Sequence, residues 1–408
     1  MPGVEPPCVD APALTLDPFA LEVLADPLPA DTAIRETAPA VFLPAHGLYA
    51  TGRHAHVAAA FRDAATFSSA AGTGLADIRR GQGWRPPSIL LDTDPPEHDA
   101  ARRVMNRVLS PRALAGLEER FAAVAAELVD EACARGELDA AGIAERFPLT
   151  VLPDAVGMAP EGRDHLLPYA ALNFESMGPP GALRDAAERG AALGAGEWAT
   201  AREYVTWQMR REALSDDGIG AAIYAHADRG DITEADAGLL VRSFLSAGID
   251  TTVLALASVI HELARRPEVW ALLRADPSRL RAVFEEGMRL HTPSPVIGRT
   301  TTRAVALDGV TLPADARVLL CLGAANRDPR RFDGPDAFDA FRTAGAVTFG
   351  AGVHNCVGQA IARMEAAALL GELVRRVERI EPAGESVPRL SNWLRGFASV
   401  PVRLQEAR

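Results

Sequence analysis

The stretch TFGAGVHNCVG, Thr348 to Gly358, surrounds one cysteine with glycines, a phenylalanine and a histidine. Gly350, Gly352 and Gly358 permit close backbone approach and φ angles that other residues avoid. The following GQAIARMEAAALLGELVRRVERI carries apolar residues at helical spacing. Cys356 therefore stands just before a helix N-terminus, whose free N–H groups and partial positive charge stabilise a thiolate. Taken alone, such a cysteine is a buried apolar filler, a nucleophile or a metal ligand. The remainder of the chain decides between these.

The 408 residues are 48% hydrophobic and 24% charged, with a net charge of −12. That balance predicts an ordinary globular core and argues against broad binding to nucleic acid or anionic membranes. No stretch rich in Gly, Ser or Pro divides the chain, so a single domain over residues 1–408 is expected. Residues 1–18, acidic and Pro-rich, are expected to be flexible and do not read as a signal peptide. The most apolar run, LLVRSFLSAGIDTTVLALASVI, contains Arg242 and Asp250, which a membrane span would make costly; it reads as a buried helix. Cys8, Cys133, Cys321 and Cys356 form no close pair and no zinc-type spacing. A reduced, cytoplasmic setting is expected.

Helical patterns cover SPRALAGLEERFAAVAAELVDEACARG, PSRLRAVFEEGMRLH with a stop at Pro293, and the segment after Cys356. Residues 234–266 predict one uninterrupted helix of roughly nine turns crossing the core. Strand signals are short: GLYATGR, the SVPVRL tail, and TTRAVALDGVTLPADARVLLCL. The last has turns at Asp308-Gly309 and Pro313-Ala314-Asp315 and reads as a small antiparallel sheet. The fold class expected is mainly α with a minor β-sheet. Met177 to Gly196 reads as a mobile loop.

Three further sites narrow the chemistry of Cys356. In SAGIDTT, Asp250 and Thr251 are unusual choices for a core helix. Thr251 follows Ala247 by four residues, so its hydroxyl can bond back to that carbonyl and open the helix locally. Gly248 is expected to leave room for a diatomic ligand. In EEGMR, Glu286 and Arg289 share a helix face and can pair. In DPPEHDAARR, a turn at Asp94-Pro95-Pro96 precedes a helix on which His98 and Arg102, four apart, can converge on one anion.

A thiolate at a helix N-terminus among glycines suits axial ligation of haem iron. The pattern F-G-x-G-x-H-x-C-x-G resembles the haem-binding signature of the cytochrome P-450 monooxygenases. SAGIDTT resembles the family's oxygen-activation motif, and ExxR its buried pair; together these stretches run in family order from Asp94 to Glu365. The resemblance implies one mainly α-helical domain with haem b between the long helix and the cysteine loop, and O2 as co-substrate. It makes Cys356 the iron ligand, with Phe349, Gly358, Ala247 and Gly248 close to the haem. His98, Arg102, Arg299 and His354 would hold the propionates. Asp250 and Thr251 would serve oxygen activation and proton relay. Glu286, Arg289 and Arg342 would brace the haem side.

WRPPSILLDTDPPEH, VRSFLSAGIDTT and FGAGVHNCVGQAIARME are more narrowly similar to the bacterial subfamily that oxidises para-substituted benzoic acids, typically by O-demethylation. By that resemblance Arg85, Ser88, Arg242 and Ser243 grip the substrate carboxylate, while Ser246, Phe174, Ile297, Gly298 and Phe397 line the pocket. Ser243 precedes Thr251 by two helical turns, about 11 Å, which matches the length of such an acid. Gly298 and Met177 stand where that subfamily tends to carry aromatics, implying looser walls and a larger substituent, a cinnamate or a heteroaromatic acid.

No flavin or iron–sulfur segment is visible, so electrons are expected from a two-iron ferredoxin and an NAD(P)H-linked reductase. Arg102, Arg103, Arg107, Arg112 and Arg363 flank the cysteine side as a candidate basic patch for it. The chain is expected to act as a monomer. The alternatives are a biosynthetic P-450 acting on a polyketide or carrier-bound substrate, a peroxide-driven enzyme, and a non-enzymatic haem sensor. The intact Asp250-Thr251 pair argues against the peroxide reading.

Overall fold

The computed structural model describes residues 9–81, 87–179, 197–343 and 345–407. Arg85, Cys8 and most of the expected mobile loop, residues 180–196, lie outside the described residues. The body is helical. Helix Leu117–Arg135 packs on helix Gln359–Arg376, and helix Ala140–Val156 packs on helix Asp250–Ala264. Leu128, Val129, Phe147, Val151, Leu256, Ile260, Leu369 and Leu373 meet in one buried apolar cluster. Each of these helices buries residues three and four apart, the pattern read from the sequence. Gly136, at φ 70°, ends the Leu117–Arg135 helix where the glycine predicted a stop.

The expected single long helix is two. Thr233 and Asp236 cap its start reciprocally, and helix Glu234–Ala247 then ends at Gly248. A second helix, Asp250–Ala264, resumes after Ile249. The break has a local cause. Thr251 Oγ1 donates to the Ala247 carbonyl at 2.9 Å, and Thr252 Oγ1 to the Gly248 carbonyl at 3.2 Å. Both hydroxyls bond back four residues and loosen the ladder at that turn. By length and composition the whole Glu234–Ala264 stretch is apolar enough to cross a membrane, but it is mostly buried inside the protein.

The minor β component forms several small sheets. A five-stranded sheet has the spatial order Val41–Leu43, Leu48–Thr51, Arg317–Cys321, Val296–Thr301, Phe67–Ser68. The Leu48–Thr51 and Arg317–Cys321 pair is parallel. The segment expected as one antiparallel sheet therefore divides: Val305–Leu307 and Val310–Leu312 form their own hairpin, while Arg317–Cys321 joins the larger sheet. Asp308 and Asp315, at φ 44° and 56°, make the two turns.

The N-terminal segment expected to be flexible is tied down from residue 9. Val9–Asp10 pairs in parallel with Val310–Thr311, and Leu14 N donates to the Phe42 carbonyl at 2.8 Å. Backbone pairing of this kind is not visible in composition, which registers only prolines and acids.

Candidate functional site

The cysteine loop folds as a tight coil that packs on helix His54–Arg62 and leads into helix Gln359–Arg376. Cys356 N donates to the Phe349 carbonyl at 2.7 Å, and Gly350 N to the Val347 carbonyl at 2.8 Å. Gly350 and Gly352 both sit at φ 68°. A Cβ on Gly352 would collide with the Phe61 carbonyl, so this glycine is required by close approach as well as by φ. Cys356 is the exposed one of the three described cysteines. Its sulfur nevertheless lies in a recess crowded by protein atoms, where desolvation pushes the thiol up. Opposing that shift are the Gly358 N–H, the Arg102 and Arg363 cations and the Gln359 N–H, all of which favour thiolate.

Beside this loop, three basic side chains are buried. His98, 1% exposed, has no hydrogen-bond partner on either ring nitrogen. Its ring stands edge-on to that of His354, centroids 4.5 Å apart. His354 Nδ1 meets the Leu90 carbonyl at 3.1 Å, while its Nε2 makes no hydrogen bond but lies 3.8 Å from Asp94 Oδ1. Arg299 is 2% exposed, its Nη1 donates to the Gly298 carbonyl at 2.8 Å, and its guanidinium lies over the Phe61 ring. No carboxylate among the described residues lies within ion-pair distance of it. Burial pulls the guanidinium down to about 10, with Asp94 opposing. Buried polar atoms without partners are uncommon in proteins and point to a ligand that supplies acceptors. Asp94 is spoken for: burial would raise it, yet His354, Ser68 Oγ and the Ser69 N–H hold it at about 2.

These features fit an iron porphyrin. A cysteine sulfur at a glycine-built helix N-terminus could hold the iron, and the buried nitrogen donors of His98, His354 and Arg299 could meet the porphyrin's two carboxylates. Arg102 behaves differently from His98. Its Nη1 donates to the Asn355 carbonyl at 2.5 Å, and it also engages the Asn355 side chain, so it braces the residue before the cysteine. Phe349 is partly buried beneath the Arg363 guanidinium, 4.8 Å from the ring centroid.

Glu286 and Arg289 are almost wholly buried and joined by two hydrogen bonds of 2.9 Å and 2.7 Å. Arg342 Nε reaches Glu286 Oε1 at 3.1 Å, and the Asp339 N–H meets the same oxygen at 2.9 Å. Arg289 also donates to the Asn326, Pro335 and Ala337 carbonyls. Asn326 then carries the brace to the cysteine loop. Its amide donates to Thr348 Oγ1 at 2.9 Å and its oxygen accepts from Val347 N at 2.7 Å. Sequence reading missed Asn326, because nothing in ANRDP distinguishes a bridging asparagine from a turn asparagine.

At the helix break, Asp250 is fully buried and paired with Arg389, at 3.3 Å and 3.4 Å between carboxylate oxygens and guanidinium nitrogens. Arg389 was also unforeseen; it lies 139 residues away with no motif around it. Gly248 has a reason other than the one expected. A Cβ there would meet Leu152 Cδ2 at 2.7 Å and the Phe244 carbonyl at 2.8 Å, so the glycine serves helix packing rather than leaving room for a diatomic ligand.

Among the residues expected to hold substrate, Arg242 is 6% exposed and its Nη2 donates to the Pro87 carbonyl at 2.8 Å, which brings it beside Ser88. Ser88 Oγ accepts from the Leu90 and Leu91 N–H groups at 3.3 Å and 3.2 Å. Ser243 Oγ donates to the Leu239 carbonyl at 3.0 Å, and Ser246 is partly exposed on the same helix. Phe174 and Met177 belong to one apolar cluster, against which Ala247 and Ile297 pack. One expectation changes. A Cβ on Gly298 would meet the Gly74 and Thr73 carbonyls at 2.6 Å and 2.9 Å, so neighbouring backbone fills the space an aromatic would take and the wall is not loosened there. The Phe397 ring is stacked on His261, 4.1 Å between centroids, and tilted against His291. In the candidate basic patch, Arg103 and Arg112 are exposed, while Arg107 lies 3.5 Å from Asp231 and Arg363 donates to Glu285 at 2.8 Å.

A family model described as Cytochrome P450 matches residues 203–405. Over 400 residues the chain is 48% identical to the cytochrome P450 CYP199A2 of Rhodopseudomonas palustris, covering 97% of this chain and 95% of that one. It is 31% identical to the erythromycin C-12 hydroxylase of Saccharopolyspora erythraea over 90% of each chain. The solved structure of cytochrome P450 CYP109Q5 from Chondromyces apiculatus matches with a TM-score of 0.80 at 30% identity, over 96% of this chain and 99% of that one.

Proposed function

The chain belongs to the cytochrome P450 family, and we propose that it hydroxylates or O-demethylates a small aromatic carboxylic acid of the para-substituted benzoate or cinnamate type, drawing two electrons from a ferredoxin. It is a monooxygenase, with haem b as cofactor and O2 as co-substrate. Bound haem supplies the iron at which dioxygen is activated. Cys356 would hold that iron through sulfur, and His98, His354 and Arg299 would hold the carboxylates.

The remaining work falls to the chain's own groups. Arg242, with Ser88 and Ser243, would fix the acid group by charge-assisted hydrogen bonds. The apolar cluster around Phe174 would exclude water from the reacting end. Asp250 and Thr251 would pass protons inward at the helix break. One oxygen atom enters the substrate and the other leaves as water; a methoxy carbon so hydroxylated departs as formaldehyde. The ferredoxin would be served by an NAD(P)H-linked reductase, in the cytoplasm, with the enzyme acting as a monomer.

The observation that carries the substrate reading is the buried Arg242 guanidinium held against Pro87, next to Ser88. It is tested by titrating ferric holoprotein with 4-methoxybenzoate and with its methyl ester while following the spin state of the iron. The acid should convert the iron to high spin at concentrations at least about tenfold below the ester, as expected for a charge-assisted contact. Equal affinity for acid and ester would overturn the reading and favour a neutral, biosynthetic substrate.

A further inference from the structure

The turn that carries Arg389 is built with unusual firmness. Arg389 N donates to the Gly396 carbonyl at 3.0 Å, closing the turn. Gly396 lies so close to Leu254 that a Cβ would come within 2.9 Å of it, which seats the turn on the helix one turn beyond Asp250. From the other side Glu175, fully buried at the end of helix Leu166–Glu175, accepts from Ser391 Oγ at 2.5 Å and from the Asn392 N–H at 3.0 Å. Two buried carboxylates on different helices thus fasten one short turn, and the guanidinium on that turn is aimed at Asp250.

Arg389 also faces the other way. With Ser391, Asn392 and Phe397 it lines a cavity of about 200 Å³ that runs under the N-terminal helices. Leu24 lines the same cavity, and Leu28, 39% exposed, brings it to the surface. Asp250 itself has no exposed surface, so whatever proton it delivers must reach it past a neighbour. One side chain therefore stands between a surface-reaching cavity and a buried carboxylate next to the helix break.

We propose that Arg389 is a positioning residue for proton delivery, and that the cavity it lines is the route by which water brings protons to Asp250. The proposal rests on the reading of Asp250 as a proton relay. A hydronium ion in the cavity breaks one of its O–H bonds, leaving water, as that proton forms an O–H bond to one Asp250 carboxylate oxygen; the new bond breaks as the proton passes on towards Thr251, and the carboxylate is restored. No electrons move in this step. Arg389 keeps the carboxylate oriented between the two sides, and Glu175 keeps Arg389 in place.

The test uses holoenzyme with its electron donors and four variants, Arg389→Gln, Arg389→Lys, Leu24→Trp and Asp250→Asn. Arg389→Gln should lower kcat about tenfold, part of the 10²–10⁴ that positioned proton transfer contributes. Substrate affinity should stay within about twofold, coupling of product to NADH should fall, and the solvent deuterium isotope effect should rise. Arg389→Lys should recover much of the loss, which a purely structural role would not predict. In the absence of turnover, infrared difference spectra should show the Asp250 carboxylate stretch, assigned by its loss in Asp250→Asn, shifted in Arg389→Gln. Leu24→Trp narrows the cavity from its rim and keeps the test alive if Arg389→Gln does not fold; it should raise the isotope effect in the same way. If Asp250→Asn slows turnover while Arg389→Gln and Leu24→Trp do not, the proposal is wrong and the relay stands. If Asp250→Asn itself leaves kcat and the isotope effect unchanged, the relay reading has failed instead.

Discussion

The rings of His98 and His354 meet edge to face with centroids 4.5 Å apart, and neither His98 nitrogen has a hydrogen-bond partner. The nearest carboxylate oxygen to His98 Nδ1, on Asp99, is 3.6 Å away, beyond hydrogen-bond reach. Burial and the neighbouring His354 pull the His98 pKa down, so the protein alone does not reward protonation there. An anion that accepts from it would. His98→Phe is therefore expected to fold but to release haem roughly tenfold or more faster, the loss of one hydrogen bond to a charged group. Haem transfer to a scavenging apoprotein reads this directly, and an unchanged release rate would remove His98 from the propionate site.

Arg242→Ala should weaken binding of 4-methoxybenzoate by about tenfold or more while changing the affinity of its methyl ester little. Spin-state titrations of both ligands on both proteins give the comparison. Equal weakening of acid and ester would assign Arg242 to packing against Pro87 alone.

The Glu286–Arg289 pair predicts a loss of folding rather than of chemistry. Glu286→Ala leaves the Arg289 cation buried and unneutralised, at a cost of about 3–5 kcal/mol. Denaturant midpoint and retained haem should fall together. Arg342→Gln removes only the partner of Glu286 nearer the surface and should have a smaller effect on both. A Glu286→Ala protein of parental stability would contradict the bracing role through Asn326.

Glu365 supplies a pH signature. It is fully buried with both oxygens unpartnered by geometry, and desolvation pushes its carboxyl up to about 8, against a small opposing influence of Thr252. Here the folded value exceeds the unfolded one, near 4.5. The folded protein therefore keeps a proton that the unfolded chain has lost, and stability declines as pH rises from about 4.5 towards 8. The slope is up to about 1.4 kcal/mol per pH unit. Glu365→Gln should abolish that decline, making the variant progressively more stable than the parent between pH 5 and pH 8. Parallel stability curves would show that Glu365 is already ionised in the folded protein.

Much of this was legible in the residue pattern because the responsible interactions are local. The glycines at 350 and 352, the threonine four residues after Ala247 and the Glu286–Arg289 spacing each leave a short-range trace. What escaped is long-range. Arg389 meets Asp250 across 139 residues, Asn326 joins Arg289 to Thr348, and Glu175 meets Ser391 across 216. The readings of Gly248 and Gly298 differed for the same reason. A glycine announces that space is short but does not say which neighbour takes it, and here Leu152 and the Thr73–Gly74 backbone do. The uninterrupted helix was read from apolar spacing, which continues through Gly248 and Ile249 although the backbone does not.

The link between Cys356 and iron is tested most directly by the absorption spectrum of the reduced protein under carbon monoxide. The parent should show the red-shifted Soret band of a thiolate-ligated haem, and Cys356→Ser should lack it. A variant that keeps this band unchanged would contradict ligation by Cys356.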